Sequence, residues 1–513
     1  MGACFIGIDN GGTETKAAVY SEVGEELAIA RVETAALTPY PGFVERDMEE
    51  MWQANCTVVR EALKKSGVSP EEIKGVAICG HGKGLYLWGK DEKPARKGII
   101  STDSRAYEEV NEWQANGVEK QTFDIACQHV MSCQPVALLA WLKKHEPESY
   151  NNIKYVFAAK DYIRFRLTGE ARLELTDSSG TNTLNLNTRM YDDKLLELFG
   201  IPEVKDALPP LCSGIEVCGH VTEEAASLTG LLPGTPVAGG LWDIDAAMLA
   251  AGFIDEERLI MITGTWSVNL YLRPEPVMDK SILMNSLFVI PKYYVIEESS
   301  TTSAGNLSWI INNLLPELKE ECKANGGNIY DVVNTWVEEI PVEEYGPIYL
   351  PFFAGGYSHP NAKACFVGMC NFNNRKQMMR SVYEGVAFAH RFHMNKLMAT
   401  RITPPKAIRL AGGVTNSPVW CQIFADVMGL PVETVSVKET GTLGCSIASA
   451  VASEYYDSVE SAVENMTRVD AIYTPDTAKK KIYDKKFNVY ENTVKALDGV
   501  WDEYQDLVEK KFN

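Results

Sequence analysis

No stretch of the chain approaches the roughly 18 consecutive apolar residues that mark a membrane-spanning helix. Basic residues are also too few to select nucleic acid or an anionic lipid surface. The chain has 49 Lys and Arg against 69 Asp and Glu, a formal net charge of −20, which argues against both partner classes. Histidine is sparse, seven in all and scattered. Without H-E-x-x-H or a Cys/His cluster, no structural zinc site is expected. The 12 cysteines include no C-x-x-C pair and read as small buried apolar residues of a reduced, cytoplasmic protein. No basic n-region precedes a long apolar core at the N-terminus, so no signal peptide is expected.

What is present is an ordinary globular composition, 45% hydrophobic and 23% charged, in 513 residues. That is too long for one core, so two or three domains are expected. The first half alternates strand and helix patterns. After an opening hairpin, Asp47 and Glu50 are spaced as a capping box. A helix should follow, with Met48, Met51, Trp52, Val58, Val59, Ala62 and Leu63 on one face and Ser66-Gly67 ending it. Ser69-Pro70-Glu71-Glu72 starts a short helical turn. "KGVAICGHGKGLYLW" then reads as two strands around a glycine-rich bend. The order β-α-β predicts an α/β fold with a largely buried sheet.

The second half repeats the theme. "RLIMITGTWSVNLYL" (258–272) is a second hairpin with a Gly-Thr turn. "KAIRLAGGVTNSPVWCQIFADVMGLPVETV" (406–435) reads as strand, Gly-Gly turn, helix and strand, with Pro418 at the helix start and Gly429 at its end. Two hairpins of one design, about half a chain apart, predict two related domains facing each other across a cleft. The join is expected near 250–257, giving domains over 1–252 and 253–513. The last forty or so residues, rich in Lys, Glu and Tyr, are expected to be helical and peripheral.

The opening segment, "CFIGIDNGGTETKAAVY", carries more than a hairpin needs. Gly11 and Gly12 allow close backbone approach and expose N–H groups to an anion. Thr13 and Thr15 add hydroxyls, and Lys16 adds a cation. Asp9 cannot meet a phosphate directly, but it can hold Mg²⁺ beside one. The segment is neither a Walker A loop nor a dinucleotide fingerprint. Gly264, Thr265 and Ser267 offer a second small-residue turn for a phosphate. Gly412 and Gly413 permit approach of a flat ring or ribose, with Asn416 as a hydrogen-bonding group.

These segments together resemble the FGGY family of carbohydrate kinases, within the sugar kinase, heat-shock and actin ATPase superfamily. The resemblance runs through "IGIDNGGTETKAAVY", "GHGKGLYLW", "STDSRA", "AKDYIRFRLTGE", "TDSSGTNTLNL", "GGLWDIDAA", "ITGTWSVN", "TSAGNLSWI", "LPFFAGG", "VYEGVAFAHR", "LAGGVTNSPVWCQIFADVMGLPV" and "ETGTLGCSIAS". Their order and spacing, over nearly the whole chain, carry it. Within the family the chain is most similar to L-xylulose and 3-keto-L-gulonate kinases.

The resemblance implies two ribonuclease H-like, actin-like ATPase domains flanking a central catalytic cleft, with ATP and Mg²⁺ as cofactors. The implied reaction is transfer of the γ-phosphate to a hydroxyl of a ketose or related sugar. It implies a first phosphate loop at Asn10, Gly11, Gly12, Thr13 and Lys16, with Asp9 toward the metal. A second loop falls at Gly264 and Thr265, and the nucleoside end at Gly412, Gly413 and Asn416. The catalytic base falls in "GGLWDIDAA", where Asp243 is favoured over Asp245 and a helix cap is the plain alternative for either. On the sugar side stand His81, Lys83, Asp103, Arg105 and Asp243, with Asp177 and Ser178 on the same wall. Many relatives carry Gln and His at the "GHGKG" bend; Lys83 departs from that and suits a carboxylate-bearing sugar. The plain alternatives are a structural histidine at 81, a solvated lysine at 83 and an exposed ion pair at 103 and 105. Lys160, Asp161 and Arg164 read as structural. A homodimer is the expected assembly. The rivals are a kinase for another pentulose or polyol (ribulose, D-xylulose, erythritol or glycerol), a partner-moving ATPase, and a sugar sensor without catalysis.

Overall fold

The computed structural model describes residues 2–264, 266–437 and 439–509. The chain divides into two compact units. The first comprises Met1–Ile254, Leu272–Ile296 and Ser436–Arg468, the second Asp255–Tyr271, Glu297–Val435 and Val469–Asn513. The first crossing therefore falls between residues 254 and 255, and two later segments return to the first unit.

In the first unit a mixed sheet runs in the order Val217–His220, Pro236–Ala238, Ile73–Gly80, Cys4–Asn10, Glu14–Ser21 and Glu26–Glu33. The short strand Leu241–Trp242 also pairs with Ile73–Gly80. Cys4–Asn10 and Glu14–Ser21 form the expected hairpin, and Cys4–Asn10 lies parallel to Ile73–Gly80. Alternation along the first strand sorts its two faces. Ile6 and Ile8 join the core with Met48, Met51 and Trp52 of helix Met48–Ser66. Gly7 points the other way, where a Cβ would come within 1.8 Å of the Thr442 carbonyl oxygen. That close approach seats helix Thr440–Ala452 on the sheet, although the helix is sequentially remote.

Helix Met48–Ser66 buries every apolar position expected of it. Asp47 caps it by accepting from the Glu49 and Glu50 amides, and Gly67 ends it at φ 67°. The capping box lies one element later, at Ser69 and Glu72.

The second unit repeats the hairpin design. Arg258–Thr263 is antiparallel to Ser267–Arg273 and parallel to Ala407–Gly412. Ala407–Gly412 is in turn parallel to Val432–Val435, and Val469–Tyr473 closes that edge antiparallel. Helix Pro418–Met428 starts on its proline and ends on Gly429, as its sequence predicts. The C-terminal helix Thr477–Glu509 is not peripheral. Tyr483 and Tyr490 are fully buried, and Arg380 donates to the Tyr483 hydroxyl at 2.7 Å. Tyr483, Phe487, Tyr490 and Trp501 form its buried stripe, and Lys486 pairs with the buried Glu384 at 2.9 Å.

Candidate active site

Three neighbouring parallel strands of the first unit end side by side. Cys4–Asn10 ends in Asp9 and Asn10, Ile73–Gly80 leads into His81, and Leu241–Trp242 leads into Asp243. Asp9 pairs in register with Cys79, and Cys79 pairs with Leu241. Carboxyl ends of parallel strands are where open α/β sheets present ligand groups. Sequence-remote carboxylates at 9 and 243 are thereby brought to one edge.

The Asp9 carboxyl is half-buried, with Gly441 packed so closely that a Cβ there would come within 2.6 Å of it. Burial pushes Asp9 up to about 6, against the pull of Lys16. After it, Gly11 and Gly12 form an open turn, and a Cβ on Gly12 would meet nothing within 4 Å. Asn10, by contrast, turns its side chain inward. Its oxygen accepts from Thr15 Oγ1 and Asn55 Nδ2 and its amide meets Met51, so only its backbone borders the turn. Lys16 is engaged as well, 3.0 Å from Glu439 and 3.3 Å from Glu14.

Asp243 and Asp245 differ sharply in setting. Asp243 is half-buried and opens helix Asp243–Ala250; its Oδ1 accepts from the Ile244 amide at 2.8 Å. Asp245 is fully buried. Its Oδ1 accepts from the Val289 amide at 3.2 Å, its Oδ2 has no partner, and burial holds it well above the usual carboxylate range. Asp245 is thus enclosed by the fold, whereas Asp243 is half-buried at the start of its helix.

Behind Asp243, Trp242 is buried and its ring closes over Gly82, where a Cβ would fall 2.0 Å from Nε1. The same ring lies 5.8 Å from Lys83 Nζ. Lys83 sits at φ 62°, a left-handed position rare for a residue with a side chain, at the tip of the bend. His81 is buried and shares a 2.8 Å hydrogen bond with the Tyr86 hydroxyl. Burial and then the charge of Arg46 push it down to about 4, so it is neutral at physiological pH.

A small cavity beside this bend is lined by Lys83, Asp177, Ser178, Thr181 and Thr183 together with apolar side chains. Asp177 is buried, and neither of its oxygens has a hydrogen-bond partner, nor has Ser178 Oγ. Burial raises Asp177 well above the usual carboxylate range, against Lys160, whose Nζ lies 3.8 Å away. Lys160, Asp161 and Arg164 form the buried structural network expected of them, with Asp161 3.0 Å from Lys160 and 2.6 Å from Arg164.

Asp103 and Arg105 do pair, but the pair is buried rather than exposed. Asp103 accepts from Arg105 and from the Val44 amide, and the Arg105 guanidinium lies 4.2 Å from the Phe43 ring centroid. Arg105 also donates to Glu45 at 2.9 Å, while its Nη1 is buried without a hydrogen-bond partner.

In the second unit Gly264 is exposed, and a Cβ on it would meet nothing within 4 Å. Thr265 lies outside the described residues. Gly412 adopts φ 93°, where a Cβ would come within 2.6 Å of the Thr263 carbonyl oxygen. Gly413 and Asn416 border a cavity of about 430 Å³, a size that accommodates a small ligand. Its walls include Leu307, Tyr330, Asp331, Tyr383 and Trp420. Tyr383 stacks on Trp420 with ring centroids 4.1 Å apart, and Asn334 accepts from both the Tyr383 hydroxyl and Ser417 Oγ.

Several of these groups escape sequence reasoning. Arg46 and Glu439 in the first unit, and Tyr330, Asp331 and Tyr383 in the second, stand in no local pattern that marks a site, and each takes its place only through tertiary contacts within its own unit. Trp420 follows the Gly-Gly turn closely enough to have been a signal.

Comparison with known proteins finds matches over nearly the whole chain. The model of the FGGY family of carbohydrate kinases, N-terminal domain, matches residues 4–250, and that of its C-terminal domain matches residues 259–453. The L-xylulose/3-keto-L-gulonate kinase of Escherichia coli K12 is 36% identical over 497 residues, covering 96% of this chain and 97% of that protein. The crystal structure of xylulose kinase from Rhodospirillum rubrum superposes with a TM-score of 0.85 at 27% identity, covering 97% of this chain and all of that one. Ligand-bound xylulose kinase from Lactobacillus acidophilus shares the fold with a TM-score of 0.88 at 22% identity, over 98% of this chain and 100% of that one.

Proposed function

The chain belongs to the FGGY family of carbohydrate kinases and is an ATP-dependent sugar phosphotransferase; from that premise we propose that its acceptor is L-xylulose or 3-keto-L-gulonate and that Asp243 is the base. A sugar hydroxyl is a poor nucleophile. A carboxylate in reach accepts its proton as the oxygen bonds to the γ-phosphorus and the bond to the β–γ bridging oxygen breaks, releasing ADP. The observation that carries this assignment is the contrast between the two aspartates: Asp243 is half-buried at a strand end, and Asp245 is fully buried against the Val289 amide.

In this reading Gly11, Gly12 and Thr13 present backbone donors to the terminal phosphates, and Gly264 with Thr265 adds the second loop. The cavity beside Gly413 and Asn416 takes the nucleoside. Mg²⁺ would be held at Asp9, whose hard oxygen donors at the edge of an open turn suit it. When bound, it neutralises phosphate charge. Lys16, the cation of this loop, is held beside it by Glu14 and Glu439. We read the working enzyme as a cytoplasmic homodimer.

On the sugar side, Lys83 offers a cation to the carboxylate of a keto acid. The side-chain oxygens of Asp177 and Ser178, buried without hydrogen-bond partners, await hydroxyls. Asp103 and Arg105 shape the bend from behind. The relative named for both L-xylulose and 3-keto-L-gulonate supports this choice over other pentuloses and polyols. ADP release measured against both sugars and against ribulose, D-xylulose, erythritol and glycerol tests it. Highest kcat/KM on one of the last four would refute the assignment.

A further inference from the structure

Arg46 stands directly beneath the first phosphate turn. It is 1% exposed. Its backbone is fixed between the short Glu45–Arg46 pairing with Gly98–Ile99 and the Asp47 helix cap. Its guanidinium donates to the Gly11 carbonyl at 3.0 Å and also to the Gly12 carbonyl. Its Nε is buried and unpartnered, and no carboxylate of the described residues pairs with it. A buried guanidinium without a counter-ion is costly, and two carbonyl dipoles offset only part of that. Every other fully buried Arg or Lys described above has a carboxylate beside it.

We propose that Arg46 is the concealed half of the phosphate site: it draws the Gly11 and Gly12 carbonyls inward, leaving the N–H groups of the same two peptides, those of Gly12 and Thr13, for the polyphosphate, and its charge is matched only when the terminal phosphates arrive. The inference rests on the kinase reading above. The two hydrogen bonds orient the turn. A peptide whose oxygen is held inward presents its N–H outward, so these two bonds set the amides of Gly12 and Thr13, which donate to nothing among the described residues. The open space over Gly12 leaves room for the ligand. The positive charge behind the turn adds a longer-range attraction that water screens poorly at a buried site. Arg46 touches no reacting atom, so it is a positioning residue.

Arg46→Gln and Arg46→Lys test this in the full-length protein, by thermal melting with and without the ATP analogue β,γ-methylene-ATP or adenosine, and by steady-state kinetics. Arg46→Gln should leave the melting temperature of the free protein unchanged or raised, because it removes an unmatched buried charge. It should weaken analogue binding roughly 10- to 100-fold while leaving adenosine binding and the sugar KM unchanged. Arg46→Lys, which keeps the charge and loses the fork, should fall between. If Arg46→Gln lowers the free protein's melting temperature and leaves the KM for ATP at the wild-type value, Arg46 is a fold element and the proposal fails. If Arg46→Gln does not fold, wild-type analogue binding in Arg46→Lys overturns it equally. Wild-type protein with no sugar-dependent turnover would instead sink the kinase reading itself, which separates the two failures.

Discussion

Thr263 Oγ1 donates to the Ala411 carbonyl at 2.8 Å, and the Val414 amide donates back to the same oxygen at 3.3 Å. One buried hydroxyl thus pins the end of the second hairpin to the Gly412–Gly413 turn. The two glycines it holds have different tasks. Gly412 needs its positive φ and has no room for a side chain, so Gly412→Ala should destabilise the protein by about 1–3 kcal/mol. At Gly413 a Cβ would meet only the Thr263 oxygen, at 3.8 Å, beside the cavity. Gly413→Val should keep the melting temperature and raise the KM for ATP roughly tenfold or more, equivalent to about 1.4 kcal/mol of binding. Melting curves and ATP titrations at saturating sugar check both.

The two aspartates of the "LWDIDAA" segment should separate in the same way. Asp243→Asn should lower kcat roughly 10²- to 10⁴-fold with ATP binding intact. Asp245→Asn keeps an acceptor for the Val289 amide and removes a carboxyl that burial disfavours, so it should retain turnover within a few-fold. A reversed pattern in single-turnover assays would move the base to Asp245.

Lys83 should discriminate acid from neutral sugar. A charge-assisted hydrogen bond is worth roughly 1.5–3 kcal/mol. Lys83→Gln should therefore cut kcat/KM for 3-keto-L-gulonate by about one to two orders of magnitude and that for L-xylulose by less. Equal losses on both would assign Lys83 to the shape of the bend.

Buried histidines set an acid limit to stability. His390 is buried between Ser303 and the Asn269 side chain, 2.8 Å from each. Burial, and next to it His393, pushes its imidazole down to about 3. Below the unfolded value of about 6.5, the unfolded chain takes up a proton that the folded chain refuses. Stability from this group is complete above pH 6.5 and is lost as pH falls, by about 2 kcal/mol at pH 5. His81, pushed down to about 4, acts in the same direction between pH 6.5 and 4. The stability advantage of wild type over His390→Gln should therefore shrink from pH 7 to pH 5 in denaturant melts. An advantage that stays constant would contradict the assigned protonation.

The sequence announces much of this because hairpins, caps and glycine turns are local. Periodicity with the Asp47 start and the Gly67 stop places Met48–Ser66, and Pro418 and Gly429 mark their helix to the residue. The inward turn of Asn10 was not readable, because it depends on Asn55 and Met51 one helix away. Nor was the burial of Asp103 and Arg105, which the Phe43 and Trp141 rings create. The return of residues 436–468 to the first unit has the same origin. A run such as "TGTLGCSIASAVA" is visibly a helix, but only the contacts of Gly441 with Asp9 and Gly444 with Ala246 say which sheet it serves.

The central claim is that Asp243 activates a sugar hydroxyl toward ATP. Sugar-dependent ADP release, measured for wild type and Asp243→Asn side by side on L-xylulose and 3-keto-L-gulonate, tests it most directly. The account predicts turnover on at least one of the two sugars and its loss by at least roughly a hundredfold in the variant, with unchanged ATP binding. Equal turnover in both proteins, or ADP release indifferent to every sugar offered, would contradict it.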